Sequence, residues 1–559
     1  MGAANSRPKA IENPLTDRPP SEIEASATVV YNDHLKDVVD KDVFLRGARL
    51  AQYPEDRVGV PGLTGAERLA LDTEKTSNIF HQTNALRVTI MVTACAAITQ
   101  GWQQSSINAS SHRWQEEMRG DKSWRENQIQ AGLIDAIPWL SASLLGTWLS
   151  DPLQEGKFGR RPALFVSGIF CTAFVLATAR CNTFIELLVC RLLLGIGIGA
   201  KASVAPVFAA EAAADHLRGR LLMMWQLFDA FGIFAGFACV FIVDMDWRVI
   251  LGTAAVPSII LLFVVFLCPE SPRFSIRKRR YKEAFLSLRR LRGSDILACR
   301  DLYYIHIQLQ HETKERMRIG GEDSSWLERY IYQDEELPRL NFFRRVWALW
   351  SFRRNRRACL AAFIVMASQQ LCGVNVLAFY SSMVYRDASD DAENQTTQVA
   401  WLNFGFGLAN FLFTIPAYWV IDGYYRKGRR LLLLVSLGGM FFTLVAISSF
   451  FLLPNDSDAR LGLVSSFTIV IYLFFYGIGA GPVPFTFSAE VFPLAFREVG
   501  MSFSVMVNFL GLGLLVCFVP AITHAFERNG NAYLLYIFAG LDALAFVLVF
   551  LLVSSWLIP

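Results

Sequence analysis

Twelve stretches of mostly apolar residues set the pattern of this chain. Six come first, near residues 87–106, 131–150, 163–181, 184–208, 221–243 and 249–268. Six more lie near 358–383, 399–421, 430–453, 462–488, 499–522 and 532–557. About 20 apolar residues cross the hydrocarbon core of a bilayer as a helix. Helices satisfy every backbone polar group internally, so each run predicts a spanning helix. A hydrophilic stretch, 269–356, separates the two sets. Residues 1–86 are polar, and Pro8, Pro14, Pro19 and Pro20 crowd their start. The pattern predicts an all-α integral membrane protein with 12 transmembrane helices. Its parts are a largely disordered tail (1–86), a six-helix bundle (87–268), a linker with short helices (269–356) and a second bundle (357–559).

Composition agrees with this layout. Of 559 residues, 53% are hydrophobic and 18% charged, against about 25% charged in soluble domains. That excludes an ordinary soluble enzyme. A net charge of +4 implies no nucleic-acid partner. Arg277-Lys278-Arg279-Arg280 and Arg353-Arg354-Asn355-Arg356-Arg357 place the linker in the cytoplasm by the positive-inside rule. Six spans on each side then put both termini inside as well. Lys157, Arg160 and Arg161 after span 2, and Arg426, Lys427, Arg429 and Arg430 after span 8, agree. Loops expected outside are mixed or acidic, as at Asp387, Asp390, Asp391 and Glu393. Sequons at Asn108, Asn394 and Asn455 fall in the same loops and are expected to carry N-glycans.

The two halves repeat. Asp151…Gly159-Arg160-Arg161 after span 2 matches Asp422…Gly428-Arg429-Arg430 after span 8. Glu211 precedes Arg218 by seven positions, as Glu490 precedes Arg497. Two pseudo-symmetric six-helix bundles place a substrate at the midplane between them. The repeated charges are expected to latch the bundles on the cytoplasmic face through charge-assisted bonds. The plainer alternative is that they anchor loops.

Four motifs now carry a resemblance. Pro269-Glu270-Ser271-Pro272-Arg273, Gln369-Gln370-Leu371-Cys372-Gly373-Val374-Asn375, Arg191-Leu192-Leu193-Leu194-Gly195 and Gly481-Pro482-Val483-Pro484 resemble hallmarks of the sugar porter branch of the major facilitator superfamily. The likeness covers roughly residues 86–553, and some wording is similar to a fungal sugar and polyol subgroup. The resemblance implies the major facilitator fold, alternating access and a sugar or polyol substrate. It implies sugar-binding roles for Gln226, Gln369, Gln370, Asn375, Asn410 and Asn508. Phe379, Tyr380, Phe485 and Phe509 would offer rings to the sugar's apolar face, Phe485 replacing the Trp common in the family. The chemistry is coherent on its own terms. Neutral amides offer donors and an acceptor to hydroxyls without burying a charge.

The chain also departs from the family. Proton-coupled members resemble one another in a Gly-aromatic-Asp pattern in span 1; here it is Gly101-Trp102-Gln103, with Arg191 facing it. Glutamine cannot titrate, so facilitated uniport is favoured. The alternative is proton symport through another carboxylate, such as Asp229, which shares a helix face with Gln226. Lys201 falls at the same depth on the preceding span and is expected to pair with Asp229; Asp135 is a candidate partner for Arg191. Family members usually continue past span 12 with a Pro-Glu-Thr motif, whereas this chain stops at Pro559, which implies an inner gate without a tail partner or a longer chain. A non-transporting sugar receptor on the same fold is a further alternative. No HExxH, GxSxG or P-loop is present, so an enzyme, a cofactor or a metal is not expected. The remaining expectations are a monomer in the lipid bilayer, at the plasma membrane.

Overall fold

A computed structural model describes residues 13–553, apart from 17, 54–59, 61, 75–81, 119–127, 156–157, 215–216, 244–245, 321–341, 352, 389–394, 422–427, 454–456, 493–495 and 527–528. Three short helices come first: α1 (Pro20–His34), α2 (Lys41–Leu50) and α3 (Gly65–Glu74). The first bundle holds α4 (Asn84–Met118), α5 (Ile129–Gln154), α6 (Arg160–Thr178), α7 (Phe184–Ala212), α8 (Arg218–Cys239) and α9 (Trp247–Val264). The linker forms α10 (Pro272–Arg277), α11 (Tyr281–Arg292), α12 (Asp295–Gly320) and α13 (Phe342–Ser351). The second bundle holds α14 (Arg353–Ala388), α15 (Thr397–Val420), α16 (Arg429–Phe450), α17 (Ala459–Val491), α18 (Arg497–Ala525) and α19 (Gly530–Leu552).

Eleven of these twelve bundle helices are long and apolar enough to span a membrane. The twelfth is α4, whose 35 residues reach about 52 Å at 1.5 Å per residue. Its apolar character is diluted by buried Gln100, Gln103, Gln104, Ser105, Ser106 and Asn108. The sequence pattern ended this span near residue 106, but the helix continues to Met118. Asn108 is therefore inside the protein and not in an outer loop. It is 2% exposed, and its Nδ2 donates to Ala378 O and Ser381 Oγ of α14, both at 2.8 Å. A glycan cannot occupy that nitrogen, so the expectation of an N-glycan there is corrected. Asn394 and Asn455 lie outside the described residues.

Small residues allow the close helix packing. Gly195 and Gly199 of α7 face Pro138, Ser141 and Ala142 of α5, and Gly101 of α4 lies against the backbone of Asp229 on α8. The Gly-rich run in α7 is thus a packing surface. The bundles also repeat in detail. Arg160 binds Glu211 and Arg429 binds Glu490 at equivalent places. Arg161 donates to Phe266 O and lies over its ring; Arg430 does the same with Phe550.

The expectation of a largely disordered tail is corrected for the described residues between 13 and 74. Ile23, Ala27, Leu35, Phe44 and Ala48 are buried against Phe285, Leu288, Leu302 and Tyr303 of α11 and α12. The tail has few apolar residues, but α2 places Phe44, Gly47, Ala48 and Ala51 on one side. The complementary face lies some 250 residues away in the linker, where sequence proximity gives no hint of it. Burying a side chain such as Phe44 contributes about 1.5–3 kcal/mol. Ion pairs complete the joint: Glu74 binds Arg300, Arg300 binds Asp301, and Asp301 binds Arg292. Arg292 then donates to Ala212 O and Ala213 O at the end of α7 (2.9 and 3.1 Å).

His306 sits in this layer of tail and linker helices. Gln310 Nε2 donates to His306 Nε2 (2.9 Å), which leaves Nδ1–H for the Tyr281 hydroxyl (2.8 Å). Burial, with His34 and Arg279 nearby, lowers its pKa to about 4. A histidine depressed in the folded state is protonated first in the unfolded chain. Stability is therefore full above about pH 6.5 and declines as pH falls toward 4, by at most about 1.4 kcal/mol per unit. Limited proteolysis of the 13–74 segment should accelerate between pH 7 and 5. His306→Gln should flatten that dependence.

Candidate functional site

Between the bundles lies a cavity; the open space in and around it, mouth included, is about 460 Å³. Gln226, Gln369, Gln370, Asn375, Asn410, Asn508, Phe485 and Phe509 all line it. Sequence reasoning missed Gln100, Gln104 and Tyr476, which line it too. The two glutamines are one helical turn apart on α4. Gln103, at the titratable position of the span 1 pattern, is 4% exposed and lies off the lining.

Breaks in two helices position these amides. In α14, Gly373 adopts φ +83°, and a Cβ there would press on Phe538. The break brings Asn375 Nδ2 to Gln370 Oε1 at 2.6 Å and leaves the Gln370 Nε2 donors to the cavity. In α17, Pro484 has no N–H for the carbonyl of Ala480. Gln369 Nε2 takes that carbonyl (3.1 Å) and Gly481 O (3.0 Å), while its Oε1 accepts from Asn508 Nδ2 (2.8 Å). Gln226 Nε2 donates to the Tyr476 hydroxyl across the bundles (3.3 Å). Asn410 Oδ1 and Asp229 Oδ1 are buried acceptors with no partner among the described residues. Hydroxyl donors would satisfy both, since an unmet buried acceptor costs about 1–3 kcal/mol.

Two expected site residues serve backbone instead, for the same reason as Gln369. Pro520 removes the N–H that would bond Val516 O, and the Tyr380 hydroxyl donates there (2.7 Å). Tyr380 does not line the cavity. Pro138 frees Ile134 O, and Arg191 Nε takes it (2.8 Å), so no Arg191–Asp135 ion pair forms. Phe379 meets Trp139 edge-on at 5.7 Å and stays off the lining; Phe509 meets the same indole at 5.4 Å. Phe485 lies 6.0 Å from Trp225. The expected Lys201–Asp229 ion pair is also absent. Lys201 Nζ of α7 donates instead to Ala96 O of α4 (2.6 Å), and Asp229 lines the cavity.

The linker-side charges include clasps within a bundle and a bridge between bundles. Arg160–Glu211 and Arg429–Glu490 stay within a bundle, as do Arg161 and Arg430. The bridge is Glu498, a residue the repeat could not reveal because its counterpart is Gly219. Its Oε1 accepts from Arg160 Nη2 (2.7 Å) and from Arg277 Nη2 of the linker (3.1 Å). Asp151 binds Arg345 of α13 (2.5 Å). Arg218 and Arg497 open α8 and α18; Asp422 lies outside the described residues. Ser271 caps α10 (Phe274 N to Oγ, 3.2 Å) and donates to Glu211 Oε2 (2.6 Å). Glu270 accepts from the backbone N–H groups of Arg160, Arg161 and Ser271. Burial pushes its carboxyl above the ordinary range against those bonds. On the far side, Asn108 joins the bundles as described.

Two six-helix bundles around an amide-lined cavity, bonded to each other on both sides of it, define a multi-pass secondary transporter. A family described as "Sugar (and other) transporter" matches residues 88–556. The chain belongs to that family, the sugar porters of the major facilitator superfamily, whose members are transporters and not enzymes. It is 27% identical over 419 residues to the galactose-proton symporter of Escherichia coli K12, covering 74% of this chain and 78% of the relative. It is 28% identical over 393 residues to the myo-inositol transporter FST1 of Gibberella moniliformis (69% and 63% covered). It is 29% identical over 428 residues to the human facilitated glucose transporter member 5 of solute carrier family 2 (74% and 76%). Among solved structures, the proton:xylose symporter XylE bound to 6-bromo-6-deoxy-D-glucose superposes with a TM-score of 0.66 at 18% identity (83% and 95%). The inward open XylE from E. coli gives 0.61 at 18% (84% and 96%).

Proposed function

We propose that the protein carries a monosaccharide or polyol across the plasma membrane by alternating access, with both termini in the cytoplasm. The observation that carries this is the convergence of amides from both bundles on one cavity. Amides pair with hydroxyls wherever the ligand lies between bundles, so the site can load from either side as the bundles rock. Named relatives transport galactose, myo-inositol and glucose, which fits a polyhydroxylated substrate. Gln103 in place of a carboxylate favours uniport, driven by the substrate gradient alone.

Proton symport is a second reading, and one observation favours it. Asp229 lines the cavity with an unpartnered carboxylate oxygen, while Lys201 is engaged elsewhere. Uptake of a labelled sugar and polyol panel, with and without a protonophore, separates the two. Saturable uptake that survives the protonophore supports uniport. Uptake that collapses, and loses its pH dependence in Asp229→Asn, supports symport. No uptake of any compound would overturn both.

A further inference from the structure

The last helix of the linker has an uncovered aromatic side. Phe343, Trp347 and Trp350 of α13 recur at helical spacing on one side, and all are exposed, Phe343 to 80% and Trp347 to 72%. The opposite side fixes the helix. Phe342 meets Trp148 of α5 (6.1 Å), Arg345 binds Asp151, and Leu349 is fully buried. Phe343 and Trp347 are therefore held outward by contacts behind them, and Trp350, half exposed, leans edge-on against Phe503 of α18 (5.6 Å). Large rings in such a row mark an interaction surface, and Trp is favoured at the headgroup level of a bilayer.

Two residues later α14 begins its span. Arg353, Arg354, Arg356 and Arg357 are exposed, and none forms an ion pair among the described residues. Arg353, Arg357 and Leu360 fall on one stripe of this helix. Leu360 and Phe363 are about half exposed on the flank a spanning helix offers to lipid. At 1.5 Å per residue, Arg357 and Arg353 lie roughly 5 and 10 Å below Leu360. That is where hydrocarbon gives way to phosphates.

We propose that the α13–α14 corner binds anionic phospholipid headgroups in the linker-side leaflet. The rings anchor it among the upper acyl chains, and the guanidinium groups pair with lipid phosphates, for which their fork geometry is suited. Charge complementarity selects anionic over zwitterionic lipid. Continuity of the basic stripe with the lipid-facing Leu360 and Phe363 selects a bilayer over a soluble partner. The site needs only membrane insertion, and so is independent of which solute is carried.

The test uses the full chain in nanodiscs of phosphatidylcholine and phosphatidylserine, with retained lipid counted by native mass spectrometry. Phosphatidylserine should be retained over phosphatidylcholine by at least about tenfold, since each juxtamembrane arginine contributes about 1 kcal/mol. R353Q/R354Q/R356Q/R357Q should abolish the preference. If that variant does not run as a monodisperse species, R354Q/R357Q replaces it, and the wild-type preference should also fall with rising ionic strength. Equal retention of both lipids, or a preference undiminished in the variants and by salt, overturns the proposal. Displacement of the lipid by millimolar inorganic phosphate also overturns it, since the occupant would then be a soluble anion.

Discussion

Glu498→Ala is expected to lower transport by about two orders of magnitude while leaving substrate binding measurable. The carboxylate holds Arg160 of the first bundle and Arg277 of the linker, and its side chain is 1% exposed. Removing one partner of a buried pair costs about 3–5 kcal/mol. Glu211 still faces Arg160, so the lower end applies. A loss of about 3 kcal/mol shifts the balance between closed and open linker-side states more than a hundredfold. A thiol placed on the linker side of the cavity should then react much faster than in wild type. Glu490→Ala is the control, because its Arg429 partner lies in the same bundle. If both variants behave alike, the charges are anchors and the bridge has no gating role.

The second large effect concerns the cavity. Gln370→Ala should weaken substrate affinity by about 30- to 150-fold. The substitution removes donors from the lining and leaves the Asn375 amide, held at 2.6 Å, without its acceptor. A lost bond plus an unsatisfied buried partner amounts to about 2–3 kcal/mol. KM for uptake should rise with little change in maximal rate, because ground-state binding is what is lost. Tyr380→Phe gives the opposite result if the geometry is right. Its hydroxyl serves Val516 O and not the cavity, so KM should stay within about threefold while thermal stability falls by about 1–3 kcal/mol.

Much of this was legible in the sequence, for definable reasons. Hydropathy and loop charge gave the spans because bilayer thickness constrains length independently of tertiary detail. The duplicated Arg-Arg and Glu…Arg spacings gave the pseudo-symmetry, and the Arg161–Phe266 and Arg430–Phe550 contacts repeat it in space. Convergence of six amides followed from family resemblance. What escaped was set by neighbours far apart in sequence. Asn108 looked like a loop sequon because polar residues thinned the apolar signal of α4. The 13–74 helices find their partner faces in the linker. Glu498 broke the repeat that revealed the other charges. Tyr380, Arg191 and Lys201 were read by their own chemistry, while their bonds go to backbone carbonyls, two of them freed by prolines.

Those carbonyls have a mechanical consequence. Pro138, Pro484 and Pro520 would each soften a helix, yet Arg191, Gln369 and Tyr380 staple the weak points, always to a helix of the same bundle. None of these three bonds crosses the seam. Compliance is thereby removed from the interior of each bundle and concentrated between them, in contacts such as Gln226–Tyr476 and Arg160–Glu498. Each bundle is built as a stiff plate, and thermal motion is channelled into one coordinate, the rocking of one plate on the other.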